Sequence, residues 1–510
     1  MRKTALAAAT ILLSASLLSP TQASAVDHVD TKKLRNAVTV NGILQHERAF
    51  QRIANENGGT RASGTPGYDA SASYVARTLR QAGYKVTLQE FTFPFFNVLE
   101  PGTVEQLTPE PTEYETETLE YSGSGDVTGD IVAAGGIIIP PTPEPSSASG
   151  CEPGDFEQAG AEPAIVLIQR GTCTLQQKVE NATAAGYDAV LFFNEGQEGR
   201  TEIPPVTVGA PASIPVNGLS FEDGAALYAA IQAGPVTGRV FASVEVDLNR
   251  KTVNVLADSP KGKKDETIVV GAHLDSVTAG PGINDNGSGS STILEIAEQM
   301  AELGYNKKLQ RQVRFAFWGA EEFNLLGSEY YVSQLTPAQQ AKIYANLNFD
   351  MLGSPNYVRF VYDGDGSDSD PAGPPGSAEI EEIFTKYFAD QGLASEPTPF
   401  DGRSDYGPFI AVGIPAGGLF SGAEGIKTPA QAELYGGTAG QAYDPCYHQA
   451  CDTITNLSTT ALFELGDAAA HATLTLALSK TGLFPDGSRV AQQSKTATSE
   501  LDWKGHAQVR

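Results

Sequence analysis

Residues 268–289 run IVVGAHLDSVTAGPGINDNGSG. A short β-branched run opens the stretch, a loop with one histidine and two aspartates follows, and glycines and serines lead out of it. Ile268-Val269-Val270 has the composition of a buried strand. From 289 to 303, Ile293, Ile296, Ala297 and Met300 fall at i, i+3, i+4 and i+7, which is one face of a helix. Val313 to Trp318 reads as the next strand, and 376–391 and 460–480 read as further helices. Strands alternating with helices from 252 onward predict an α/β fold with mostly parallel strands. In such sheets ligands gather beyond the carboxyl ends of the strands.

Upstream, 45–95 reads as helix, loop, helix, strand. Phe50, Ile53 and Ala54 share a helical face, and the Gly-rich loop Gly58 to Gly67 follows. Tyr74, Val75, Leu79 and Ala82 recur at helical spacing until Gly83 stops the helix, and Val86 to Phe93 alternates as a strand. Pro, Glu, Thr and Gly dominate 100–150. Residues 164–242 then predict a small α/β unit, with strands at 164–168 and 189–193, a helix at 174–185 and a surface loop at 203–215. The polar stretch 486–510 predicts a flexible tail. At the other end, Arg2 and Lys3 precede an apolar run from Ala5 to Leu18 and the small residues Ala23-Ser24-Ala25. This is the pattern of a signal peptide, 1–25, cleaved before Val26. The run is short of the ~20 residues that span a membrane. A secreted, extracellular protein is expected, with no membrane association after cleavage.

The chain has 510 residues, of which 41% are hydrophobic and 19% charged, and this excludes wholesale disorder. Its 61 acidic against 34 basic residues give a net charge of −27, which argues against a nucleic-acid partner. A monomer is expected. Four cysteines allow three pairings, and in an exported chain they are expected to pair. Clustering favours Cys151 with Cys173 and Cys446 with Cys451.

The chemistry-bearing residues sit in loops that follow apolar runs. His273 and Asp275 are two apart and point the same way in an extended segment, so Asp275 can hold the histidine ring. Asp285 lies in the loop that opens the 289–303 helix. Glu321 and Glu322 are adjacent, so their side chains diverge and can take separate tasks. Asp350 follows Asn348-Phe349, and His448 lies between Cys446 and Cys451. Jointly these residues fit a carboxylate and imidazole site for two metals, and Zn²⁺ takes such ligands. The acidic loop Asp363 to Asp368 reads either as a Ca²⁺ site or as solvated turns, with turns favoured.

Six stretches carry a resemblance: GGTRASGTPGYDAS (58–71), GAHLDSVTAGPGINDNGSGSS (271–291), FAFWGAEEFNLLGSEYY (315–331), NFDMLGS (348–354), DGRSDYGPF (401–409) and CYHQACD (446–452). In order and spacing the chain resembles the secreted bacterial co-catalytic di-zinc aminopeptidases of metallopeptidase family 28. The resemblance implies a three-layer α/β/α fold around a mixed eight-stranded sheet. It implies two zinc ions held by His273, Asp285, Glu322, Asp350 and His448, with Asp285 bridging. One ion takes His273 and Asp350, the other Glu322 and His448. It further implies Glu321 as general base, Asp275 as the partner of His273, Tyr447 as a stabiliser of the tetrahedral intermediate and Arg403 as a substrate contact. Substrates would be peptide and protein N-termini, with leucine and other large apolar residues favoured.

Ile165 to Cys173 together with Lys178 to Val190 resembles a protease-associated (PA) domain, which in exported peptidases commonly forms a lid or screening surface. The expected organisation is therefore 26–114 as the first part of the peptidase domain, 115–245 as the PA insertion and 246–485 as the catalytic part. Three other readings compete. A glutaminyl cyclase is disfavoured, because those relatives use a single zinc and this chain has both sets of ligands. A carboxypeptidase or dipeptidase of the same superfamily would tend to carry an extra C-terminal helical domain, for which little sequence remains. A non-catalytic binding protein would not need Glu321 and five ligand-type residues.

Overall fold

The computed structural model describes residues 26–484, apart from positions 205 and 370. The expected signal peptide and C-terminal tail lie outside the described residues. No helix among the described residues is long and apolar enough to cross a membrane.

Two very long strands, Lys85–Thr108 and Val236–Asp258, organise the molecule. They pair antiparallel from Lys85 opposite Asp258 to Thr108 opposite Thr237. The alternation that predicts a strand ends at Phe93, yet the strand continues. Pro94 has no N–H to offer the ladder, and the register shifts there as at a bulge rather than ending.

On one side this ribbon completes a mixed eight-stranded sheet. Its order is Glu396–Thr398, Phe360–Tyr362, Ala416–Phe420, Ile343–Phe349, Lys263–His273, Arg311–Trp318, Val236–Asp258 and Lys85–Thr108. The four strands from Ala416–Phe420 to Arg311–Trp318 are parallel. Strand residues alternate between two covering layers. Ile268, Val270, Val313, Phe315 and Phe317 face the core under the helices Val40–Glu56, Pro66–Gln81, Gly289–Glu302 and Thr459–Leu478. Val269, Ala316 and Trp318 face the opposite layer, with Tyr331, Val332 and Phe409. This is a three-layer α/β/α arrangement. Gly289–Glu302 and Thr459–Leu478 match the predicted 289–303 and 460–480 to within two residues, whereas the helix expected from about 45 begins at Val40, and Leu326–Ser333 and Phe221–Ala233 are helices that the periodicity does not predict.

On the other side the ribbon carries hydrogen bonding into Gly125–Ala133, Ala164–Gln169, Ala189–Phe193, Val216–Leu219 and Glu117–Thr118, and with Thr112–Tyr114, which pairs with Lys85–Thr108, fourteen strands are continuous. Val166, Ile168, Val190 and Phe192 pack toward the helix Leu175–Ala184, and Ile165, Leu167, Leu191 and Phe193 toward Leu227 of Phe221–Ala233. Cys151–Cys173 and Cys446–Cys451 are both disulfide-bonded, and no cysteine is free. In the acidic loop, Asp363 is buried and accepts hydrogen bonds from the backbone of Gly366, Ser367, Asp368 and Ser369. It anchors a turn.

Candidate metal centre

Three parallel strands end at one place. His273 closes Lys263–His273, Glu321 and Glu322 follow Arg311–Trp318, and Asp350 follows Ile343–Phe349. His448 arrives from the loop pinned by Cys446–Cys451. Each strand reaches the cleft with its backbone paired, so only the turn beyond it has to be shaped. Ala320, Met351 and His448 adopt left-handed backbone with φ of 54°, 54° and 57°. Side chains other than glycine rarely accept that conformation, and such residues cluster where a loop must aim a functional group.

Asp285 lies at the centre. Its Oδ1 is 3.2 Å from His273 Nε2 and its Oδ2 is 3.2 Å from His448 Nε2. Asp350 Oδ1 is also 3.2 Å from His273 Nε2, and Glu322 Oε2 is 3.0 Å from His448 Nε2. Glu321 Oε2 is 3.8 Å from His273 Nε2. The adjacent glutamates thus face different histidines, as their divergence requires. His273 Nδ1 is 3.2 Å from the Asp275 carbonyl and 3.6 Å from its carboxylate, so the backbone oxygen is the nearer partner. The Asp275 carboxylate instead accepts from the backbone N–H of Glu321 at 3.3 Å.

Further polar residues hold these groups, and the sequence reading does not single them out. Asp452 accepts from the backbone N–H groups of Asn284 and Asp285, at 2.8 and 2.9 Å. Ser404 donates to Asp350 Oδ2 at 2.5 Å. Both lie inside the quoted motifs, which is the one signal that could have found them. Tyr447 stacks on the His448 ring with centroids 3.9 Å apart. Arg403 lies at the exposed rim, donating to Tyr447 Oη at 3.3 Å and pairing with Glu424 at 2.7 Å. The cleft above has a volume of about 590 Å³, and Met351, Tyr362, Pro399 and Phe420 contribute its apolar wall.

The electrostatics follow from this crowding. Burial works to lower the His273 imidazolium, but Glu321 and Asp350 outweigh it and hold its pKa well above the ordinary value. Burial opposes His448 likewise, and Glu322 and Asp285 raise it. Burial works to raise the Asp285 carboxyl, yet hydrogen bonds from both histidines hold it below the usual range. Glu321 is raised well above it by burial, with His273 opposing and Asp350 and Asp405 adding.

The donor set fits cations better than protons. One imidazole N–H satisfies one acceptor, yet three carboxylates converge on His273 Nε2. Glu322 Oε1 is buried with no hydrogen-bond partner, a costly state for a carboxylate that nothing else compensates. Carboxylate and imidazole donors gathered on both sides of Asp285 could hold divalent metal. His273 and Asp350 would serve one side of Asp285, and His448 and Glu322 the other.

Comparison with known proteins places this geometry in context. The model of peptidase family M28 matches residues 254–473, and the PA domain model matches 127–227. An aminopeptidase of Pseudomonas aeruginosa (strain UCBPP-PA14) is 44% identical over 487 residues, covering 93% of this chain and 88% of that protein. A probable leucine aminopeptidase 2 of Aspergillus fumigatus is 39% identical, covering 83% and 81%. The solved structure of BSAP, a zinc aminopeptidase from Bacillus subtilis, shares the fold with a TM-score of 0.58 at 24% identity, covering 86% of this chain and 95% of that one.

Proposed function

Because the chain belongs to peptidase family M28 and is an aminopeptidase, we propose that it is a secreted two-zinc enzyme that releases large apolar N-terminal residues, leucine among them, from peptides and proteins. The observation that carries this reading is Asp285, whose two oxygens each face a different imidazole while Asp350 and Glu322 complete the two sides. His273, Asp285, Glu322, Asp350 and His448 are the zinc ligands. Bound there, the two ions would polarise the scissile carbonyl and acidify a water.

The remaining work belongs to side chains. Glu321 accepts the proton of the attacking water and returns it to the leaving amine, and it stands beside His273 at the metal site without counting among the ligands. Tyr447, stacked on the His448 ring at the cleft, is placed to donate its phenolic O–H to the developing oxyanion. Asp275 holds the backbone of Glu321 and abuts His273. Arg403 steers Tyr447 and meets substrate at the rim. The surplus of carboxylates attracts a free α-amine, which makes the enzyme an exopeptidase. Met351, Tyr362 and Phe420 supply an apolar wall for the first side chain, in keeping with the leucine named for the Aspergillus relative.

We read 26–114 and 246–485 as the peptidase domain and 115–245 as an inserted unit that screens the cleft. The enzyme acts as a monomer. The deciding experiment compares leucine p-nitroanilide with its N-acetylated form, with and without a chelator, and measures bound zinc. The expected result is cleavage of the free-amine substrate alone, abolished by chelation, with two zinc ions per chain. Cleavage of the acetylated substrate, or turnover that survives metal removal, would refute the reading.

A further inference from the structure

Residues 274–282 join His273 to the Asp285 loop, and this connection carries its own restraint. Three of its carbonyl oxygens turn toward a single side chain. Arg61, fully buried, donates through Nε to Pro281 at 2.8 Å, through one Nη to Gly282 at 2.5 Å and through the other to Leu274. Its backbone N–H donates to Ser276 Oγ at 3.0 Å, and Thr60 Oγ1 donates to the Val277 carbonyl at 2.9 Å. The guanidinium lies over the Phe50 ring at 4.9 Å, so it cannot swing away. Two residues along, Ser63 Oγ accepts from the Ala320 N–H at 2.6 Å, one residue before Glu321.

We propose that Thr60 to Ser63 is a clamp on the metal centre, in which Arg61 is a positioning residue setting the separation of His273 and Asp285, and Ser63 a positioning residue for Glu321. The reason is donor geometry. A guanidinium presents five N–H groups in a rigid plane and can hold three carbonyls at fixed angles, whereas a lysine ammonium is a point with three rotating donors. The loop carrying Asp285 packs closely on the segment that Arg61 holds: a Cβ on Gly287, two residues beyond Asp285, would come within 2.9 Å of Glu47 Oε2 and 3.0 Å of the Gly282 carbonyl. The clamp rests on the two-zinc reading above.

The test uses the full chain with two variants, Arg61→Lys and Ser63→Ala. Zinc affinity is read by competition with a chromophoric chelator, and kcat and KM are read at saturating zinc. The clamp predicts that Arg61→Lys weakens zinc binding by about 10- to 100-fold with KM little changed, as for other groups that orient metal ligands. Ser63→Ala is expected to lower kcat about tenfold while zinc affinity holds, because the buried Ala320 N–H and Thr252 Oγ1 both lose their acceptor. A merely structural role would lower the melting temperature of both variants without separating these readouts. Zinc affinity of Arg61→Lys within twofold of the parent would overturn the clamp. A parent chain that binds no zinc would overturn the reading beneath it as well, and the parent measurement tells the two failures apart.

Discussion

Glu321 and Glu322 are chain neighbours, yet one approaches His273 and the other His448. Replacement of Glu321 by glutamine keeps the shape and removes the base. The expected outcome is a fall in kcat of about 10²- to 10⁴-fold with zinc content unchanged by metal analysis, and retained turnover would remove Glu321 from the role. His273, Glu321, Glu322 and Asp350 were legible because each stands in a loop after an apolar run, whereas Asp285 opens a helix and His448 sits between two cysteines. Their supports were not legible. Arg61, Ser404 and Asp452 are polar loop residues with no local pattern, and their partners lie 213 to 221, 54 and 167 to 168 positions away. The acidic loop read as turns or Ca²⁺ site is built around Asp363 as a turn anchor.

The strand Lys85–Thr108 does more than the short alternation at 86–93 suggests. Phe91, Phe93 and Phe95 pack against Ala320, Phe323 and Leu326, so the strand supports the turn that carries Glu321 and Glu322. The Phe93 and Phe323 rings meet edge to face at 4.9 Å. Phe93→Ala should cost about 3–5 kcal/mol of stability, since it empties a fully buried aromatic site, and chemical denaturation would measure it. A loss below 1 kcal/mol would mean that the ribbon merely lies against the turn. The same ribbon continues into the second group of strands, a continuity that a stretch interrupted by Pro94 and Pro101 does not announce.

At the scale of the whole molecule, the first and last described helices close on each other. His471 Nδ1 lies 2.8 Å from Thr31 Oγ1, and its ring stacks on Tyr387 at 4.7 Å. Burial, with Arg35 adding, pushes the His471 pKa down from 6.5 to about 4. The unfolded chain therefore takes up a proton below pH 6.5 that the folded chain refuses until about pH 4. Stability from this group is fully present above pH 6.5 and is lost as the pH falls through that window, by at most about tenfold in the unfolding constant per pH unit. His471→Gln should flatten that stretch of the stability curve in urea titrations across pH, and an unchanged slope would count against it.

Strand and helix alternation from 252 onward and the loops that follow its apolar runs were determined by the sequence itself, because periodicity, glycine stops and apolar runs act over a few residues. A mixed eight-stranded sheet is implied there by the family motifs, and its strand order came from the structure. What only the tertiary structure decided is contact between distant segments: the fourteen-strand continuity through the ribbon, the orientation of Asp285 by Asp452, and the grip of Arg61 on the 274–282 loop. The physical reason is that a hydrogen bond across 200 residues leaves no periodic trace. It forms only when packing of the core brings its donor and acceptor together out of water.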